Sequence, residues 1–305
     1  ESHGCAVTSG AVNCWGVATS GQLGNGASSV TSPDPVDSTV VPGWTPLEVA
    51  VSPSKGTGGG FSCALYSIDT SGENRVLCWG QGSSGEMGDG STESLASPES
   101  AKPVSLDAST PLGASEGSES LASSPYDVAQ ISIDSFGRFG CARSSQGHVK
   151  CWGYNQYGQL GQGHNYPIGD GYSGSDEIQC HPTLNEPTDR ECLARMGDGL
   201  PAVDLGDGRT AVSVSAGYAH TCAILDNGSV RCWGSNGNGR TGLGTTSGYV
   251  GDEAGEMGDN LATVDLGSGK AAASVSAGYS HTCAILNDLS VACWGQNSDG
   301  QLGIG

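Results

Sequence analysis

The sequence predicts an all-β protein, a β-propeller of about five visible repeats of four-stranded antiparallel blades whose hairpins are cross-linked by disulfides. Three observations carry that expectation. The tripeptide Cys-Trp-Gly recurs at roughly even spacing, at Cys14–Gly16, Cys78–Gly80, Cys151–Gly153, Cys232–Gly234 and Cys293–Gly295. The 12 cysteines fall into local pairs. Glycine, at 51 of 305 positions, punctuates short alternating apolar runs, and no convincing amphipathic helical stretch occurs.

The elements follow in order. Each unit reads strand, turn, strand, then a glycine-rich stretch ending in Gln22-Leu23-Gly24, Gln159-Leu160-Gly161 or Gln301-Leu302-Gly303. The second unit weakens this to Glu86-Met87-Gly88 and the fourth to Thr241-Gly242-Leu243-Gly244. Further strands are expected at 202–206 and 262–267, and again at 211–216 and 272–277, which makes four per unit of about 61 residues. The chain is one domain, 1–305, interrupted by Ser/Thr/Pro-rich insertions at 26–60 and 90–126 and by a disulfide-stapled loop at 164–195. It opens inside a blade, because Glu1 aligns with Tyr218, so the ring is expected to be incomplete or closed by another segment.

Six cysteine pairs stand out: Cys5/Cys14, Cys63/Cys78, Cys141/Cys151, Cys180/Cys192, Cys222/Cys232 and Cys283/Cys293. Zinc ligands come as close-set pairs, and the partners here stand much too far apart for that pattern. They fit disulfides, which imply an oxidising compartment. Around the turn Asp226-Asn227-Gly228, with Gly in the left-handed position, Cys222 falls opposite Cys232 within bonding reach. Leu289 stands where the fifth unit should carry that glycine, so its turn is expected to differ. Cys180/Cys192 lies outside the hairpins and reads as a loop staple. Closing hairpin-sized loops contributes roughly 2–3 kcal/mol each to blades with thin cores. Trp15, Trp79, Trp152, Trp233 and Trp294 are expected to pack between neighbouring blades, and His3, His220 and His281 to serve turns or blade packing.

Composition excludes several classes. Only 36% of residues are hydrophobic and 14% charged, too few for a helical bundle or a coiled coil. No apolar run approaches the length of a membrane-spanning helix, so no membrane insertion is expected. Residues 1–20 lack the zones of a signal peptide, as a mature secreted chain or a piece of a longer one would. A net charge of −20 repels nucleic acid and anionic lipid. The common catalytic signatures are missing, and although Asp and Glu are plentiful enough for a glycosidase-type carboxylate pair, nothing singles one out, so the chain reads as no enzyme. The clusters Asp170, Asp176, Glu177 and Asp252, Glu253, Glu256 raise Ca²⁺ as the one cofactor alternative; they read instead as solvated acidic loops. Asn227-Gly228-Ser229 is an N-glycosylation sequon at a hairpin tip, and Ser32, Ser52, Ser97 and Ser124, each before proline, are O-glycosylation candidates.

Gly278–Leu286 (Gly-Tyr-Ser-His-Thr-Cys-Ala-Ile-Leu), Val291–Gly295 and Gly300–Gly303 together resemble the regulator of chromosome condensation repeat, and the resemblance runs over essentially the whole chain. It implies a propeller. The family's nuclear member has seven blades, exchanges nucleotide on a small GTPase and binds chromatin; five hairpins, acidity and paired cysteines depart from it. The stretch Gly255–Leu261, echoed at Met196–Leu200, is similar to a cysteine-paired subgroup of secreted algal and stramenopile surface proteins, mastigoneme components among them. The resulting expectation is a non-enzymatic extracellular or cell-surface building block of a glycosylated filament, partnered by itself, other structural glycoproteins and glycans. The alternative is a secreted protein- or carbohydrate-binding module, and nucleotide exchange comes last.

Overall fold

A computed structural model describes residues 3–52, 60–89, 93–101, 104, 127–134, 136, 138–168 and 200–304. They form five antiparallel sheets and no α-helix. The first sheet contains β1 (His3–Thr8), β2 (Ala11–Ala18) and β3 (Val30–Asp37). The second contains β4 (Trp44–Val51), β5 (Phe61–Ile68) and β6 (Asn74–Gly80), and the third β7 (Val128–Ile133), β8 (Phe139–Ser144) and β9 (Val149–Gly153). The fourth has β10 (Ala211–Ala216), β11 (His220–Leu225), β12 (Val230–Ser235) and β13 (Tyr249–Val250); the fifth has β14 (Ala272–Ala277), β15 (His281–Leu286) and β16 (Val291–Gly295).

Strands β4, β7, β10 and β14 lie side by side in that order, each opening its sheet, so successive sheets stack face to face as blades do. Each stack encloses apolar residues. Val12, Leu23, Leu77 and Trp79 fill the space between the first two sheets, and Ile224, Val230, Val275 and Leu286 that between the last two. The opening strands share a bulge. Register shifts by one residue between Pro46 and Glu48, Val128 and Gln130, Ala211 and Ser213, and Ala272 and Ser274. Two residues then oppose one, and the extra side chain, such as Leu47 or Val212, turns out to solvent.

The central hairpins have the expected register. Cys222 faces Cys232 and Ile224 faces Val230, and five disulfides (Cys5–Cys14, Cys63–Cys78, Cys141–Cys151, Cys222–Cys232, Cys283–Cys293) close hairpins with Cα atoms 4.1 Å apart. Cys180 and Cys192 lie outside the described residues, as do Asp170, Asp176, Glu177 and Ser124. The fifth turn does not differ from its relatives. Leu289 adopts the left-handed conformation itself (φ 67°), and its N–H donates to Leu286 O at 2.9 Å, as Gly228 N–H does to Leu225 O at 2.8 Å.

The fourth strand needs correction. Segments 202–206 and 262–267 are not strands. Val203 and Val264 each make one ladder-type bond, N–H to Val149 O and Val230 O, and Thr263 bridges Arg231. Beyond that point the Asp204 and Asp265 carboxylates accept the amides of Gly206 and Gly267, both at 2.9 Å. These local Asx turns outcompete a continued ladder. The fourth position is filled by other residues: β13 on β12 in the fourth sheet, and single bridges Gly80–Leu95 and Gly153–Ile168 in the second and third.

Candidate binding face

One interlock joins the blades and sets the positions of their loops. The main-chain carbonyl at the first signature position receives the indole N–H of the next blade: Trp79 to Gln22 O (3.0 Å), Trp152 to Glu86 O (2.9 Å), Trp233 to Gln159 O (3.0 Å) and Trp294 to Arg240 O (2.9 Å). The fourth signature is therefore Arg240-Thr241-Gly242, ahead of where the Leu-Gly pattern suggests. Its glycine explains the register. A Cβ on Gly24, Gly161 or Gly242 would stand 2.6–2.9 Å from the indole nitrogen of the next blade's tryptophan.

A hydroxyl reinforces the same carbonyl in three blades: Ser62 to Gln22 O (2.9 Å), Thr221 to Gln159 O (2.8 Å) and Thr282 to Arg240 O (2.9 Å). Because that hydroxyl's proton is committed, it can only accept from a histidine, and His3 Nε2 and His220 Nε2 lie 2.8 Å from Ser62 Oγ and Thr282 Oγ1. Both rings therefore carry their proton on Nε2. Burial lowers His3 to about 4 and His220 to about 3, with Arg240 and His281 adding to the latter, so both are neutral under ordinary conditions. Trp15 departs from expectation: it is 37% exposed and lies over Gly4 of its own hairpin, with no carbonyl partner among the described residues.

The turns that lead into β8, β11 and β15 lie at one end of the blades, and the disulfide hairpin tips at the other. At the first end the rings gather. Phe136, Tyr218 and Tyr279 form a triangle with centroid distances of 4.6, 5.4 and 4.3 Å, the last a stacked pair. Tyr157 contacts Tyr154 at 6.2 Å and Tyr249 at 5.4 Å. The Arg138 guanidinium joins the two groups, 4.4 Å from the Tyr218 centroid, 4.8 Å from Tyr154 and 5.7 Å from Phe136. Five of the nine tyrosines thus form one strip across three blades, half-exposed along its length.

The strip is held from below. Asp134, fully buried, accepts the amides of Arg138 (2.7 Å) and Phe139 (3.3 Å), which fixes the turn carrying Phe136. Burial pushes its carboxyl up to about 7 against those hydrogen bonds and the nearby Arg138. Arg138 donates to Tyr218 O (3.2 Å) and Arg240 to Tyr279 O (3.2 Å), so each arginine also clamps the tyrosine turn of the following blade. None of these residues stands out as a site in the sequence. The repeated Gly-Tyr at 217–218 and 278–279 is the available signal, but single tyrosines in turns carry no mark of lateral contact.

The remaining candidates fall elsewhere. Asn227 is exposed at a hairpin tip, its Oδ1 accepting from Ser229 N (3.0 Å) and Ser229 Oγ (2.7 Å). Ser32 is half-buried on β3 and donates to Asp34 O. Ser52 and Ser97 are buried, which withdraws them from the accessible modification positions: Ser52 lies under the start of β5, and Ser97 pairs with Ser100. Glu256 turns inward to accept the amides of Gly251, Asp252 and Glu253, so its carboxylate serves the loop; among the described residues no His/Cys/Asp/Glu group is arranged for a metal ion.

Fold and face together define a class: a disulfide-stapled propeller whose repeats interlock through tryptophan. The regulator of chromosome condensation (RCC1) repeat model matches residues 136–159, 211–240 and 272–301. Human E3 ubiquitin-protein ligase HERC2 is 25% identical over 79% of this chain and 6% of its own length. The Arabidopsis thaliana ultraviolet-B receptor UVR8 is 26% identical over 100% of this chain and 65% of its own. Yeast RCC1 (Prp20), crystallised with Kap60, superposes with a TM-score of 0.62 at 15% identity, covering 100% of this chain and 56% of that one. The chain thus folds as an RCC1-type β-propeller, and it spans less than two thirds of the length of these relatives.

Proposed function

We propose that this propeller is a non-enzymatic, extracellular protein-binding module. The observation that carries the reading is the half-exposed Tyr/Arg strip crossing three blades at one end of the stack. Tyrosine and arginine are the residues on which protein interfaces concentrate their binding energy. A rigid scaffold presenting short turns is how propeller folds display such groups. The disulfides, one per hairpin, fit an oxidising compartment. No helix of the described residues is long and apolar enough to cross a membrane. A photo-reactive side chain placed at Tyr249 should give specific adducts with a partner protein, while the same group at Asn227 on the opposite end should not. Equal labelling from both ends, or none from either, would overturn the reading.

A second reading, a building block of a glycosylated filament, is favoured by the apolar pair Ile285 and Val291 standing exposed on the fifth blade. Sedimentation of the chain at rising concentration tests it. Polymers support a building block, and a single sharp boundary opposes it.

A further inference from the structure

The two ends of the blades treat their cations differently. At the hairpin tips three cations lie against carboxylates: Arg75 with Glu73 (3.1 Å), Arg209 with Asp226 (2.9 Å) and Lys270 with Asp288. At the aromatic end neither arginine is neutralised in this way by any described residue. Arg240 hydrogen bonds to the carbonyls of Gly237 (2.8 Å) and Tyr279 (3.2 Å). Arg138 donates to a carbonyl and lies among ring faces, and its approach to the Asp134 carboxylate is 4.0 Å without a hydrogen bond. That carboxyl, raised to about 7 by burial, carries only part of a negative charge near neutrality. A chain of net charge −20 therefore keeps two incompletely compensated guanidinium groups on one end, beside Tyr154, Tyr157, Tyr218 and Tyr279.

The rings decide what such an end can hold. Tyr218 and Tyr279 stack on each other at 4.3 Å and 28°, Phe136 closes against both and Arg138 lies over Tyr218, so the facing sides of these rings are taken up within the cluster. A ligand approaching these packed rings meets their edges and hydroxyls, and ring edges carry the positive part of the quadrupole. A neutral sugar stacks on open faces and gains little here. A carboxylate meets positive edges, phenol donors and guanidinium charge together.

Resting on the protein-binding reading above, we infer that the strip from Tyr279 through Arg138 to Tyr249 docks an acidic segment of a partner protein, its carboxylates directed to Arg138 and the tyrosine hydroxyls. The charge complementarity is local and opposed to the field of the whole chain, so added salt screens the long-range repulsion before the contact attraction, and binding should fall only shallowly with ionic strength.

The full chain would be titrated with a short Glu-rich peptide containing one Phe, with the same peptide carrying Gln for Glu, and with a polyuronate oligosaccharide, while amide and tyrosine NMR signals are followed. The expected result is saturable shifts confined to the strip with the Glu peptide, weaker by about tenfold in Arg138→Gln and in Tyr279→Ala, partly restored in Arg138→Lys, and unchanged in Arg209→Gln at the opposite end. Thermal melts confirm that each variant is folded, and the Arg138→Lys arm stands even where Tyr279→Ala is not. Shifts of the strip by the Gln peptide to the same extent would overturn the acidic assignment while sparing the protein-binding reading. Polyuronate binding without peptide binding would overturn the choice of a protein partner, and silence from every probe would overturn the site.

Discussion

Residues 216–234 and 277–295 are nearly the same sequence, yet they live in different surroundings. In the fourth blade Ile224 and Val230 are 1% and 0% exposed, because the fifth blade lies on them. Their counterparts Ile285 and Val291, paired in the same register, are 45% and 65% exposed. Hairpin register, disulfide and turn are common to both. What differs is the neighbour. The repeat therefore encodes an element and one half of an interface, and burial arrives only when the next repeat supplies the other half.

Large-to-small substitutions should separate the two blades most clearly. Trp233→Ala, at a fully buried ring with its N–H satisfied, is expected to cost about 3–5 kcal/mol, whereas Trp294→Ala, half-buried, should cost distinctly less. Chemical denaturation of both decides it, and equal losses would mean that the fifth blade is covered in solution. One step smaller, Ile224→Ala should cost about 2–4 kcal/mol and Ile285→Ala under about 1 kcal/mol.

Turn chemistry sharpens the comparison further. Leu289 holds a left-handed backbone that glycine holds at 228, with its side chain 85% exposed. Leu289→Gly should therefore stabilise the fifth hairpin by about 1 kcal/mol, seen as a raised melting temperature. No change would show that the turn relaxes in solution.

Two buried groups give the smallest, pH-dependent differences, of opposite sign. Glu86 occupies a position held by Gln22 and Gln159 elsewhere, and burial chiefly raises its carboxyl to about 7, with Asp134 adding to the rise and hydrogen bonds opposing it. A raised carboxylate pKa means that the folded state takes up a proton first, so this residue's contribution improves as pH falls from 7 toward its ordinary value of 4.5. Glu86→Gln should thus stabilise the protein above pH 7 and lose that advantage on acidification. His220, lowered to about 3, contributes fully above its ordinary 6.5 and less as pH falls through the acid range. His220→Asn should flatten that acid limb, measured as melting temperature against pH.

Legibility follows the range of the interaction. Cys222 opposite Cys232 reads directly, since a short turn fixes the pairing of a hairpin over the few positions beside it. The tryptophans' setting between blades is visible from repetition at Trp79, Trp152 and Trp233, but Trp15 looks identical in sequence and lies half in solvent. The expected strands at 202–206 and 262–267 do not form because Asp204 and Asp265 make side-chain turns that an alternation pattern does not register. The fourth signature lies ahead of Leu243, which mimics the repeat's leucine, whereas the carbonyl that binds Trp294 belongs to Arg240. The aromatic strip is invisible in the sequence. Its members come from turns as far apart in the chain as those of Phe136 and Tyr279, and only the stacking of blades brings them together.

Every disulfide among the described residues closes within its own hairpin, so none of these bonds ties one blade to the next. Under tension the molecule has seams. Force pulls apart indole-to-carbonyl contacts and apolar faces while each ribbon stays stitched, and slack is released one sheet at a time. Recovery then needs only that intact leaves find their neighbours again.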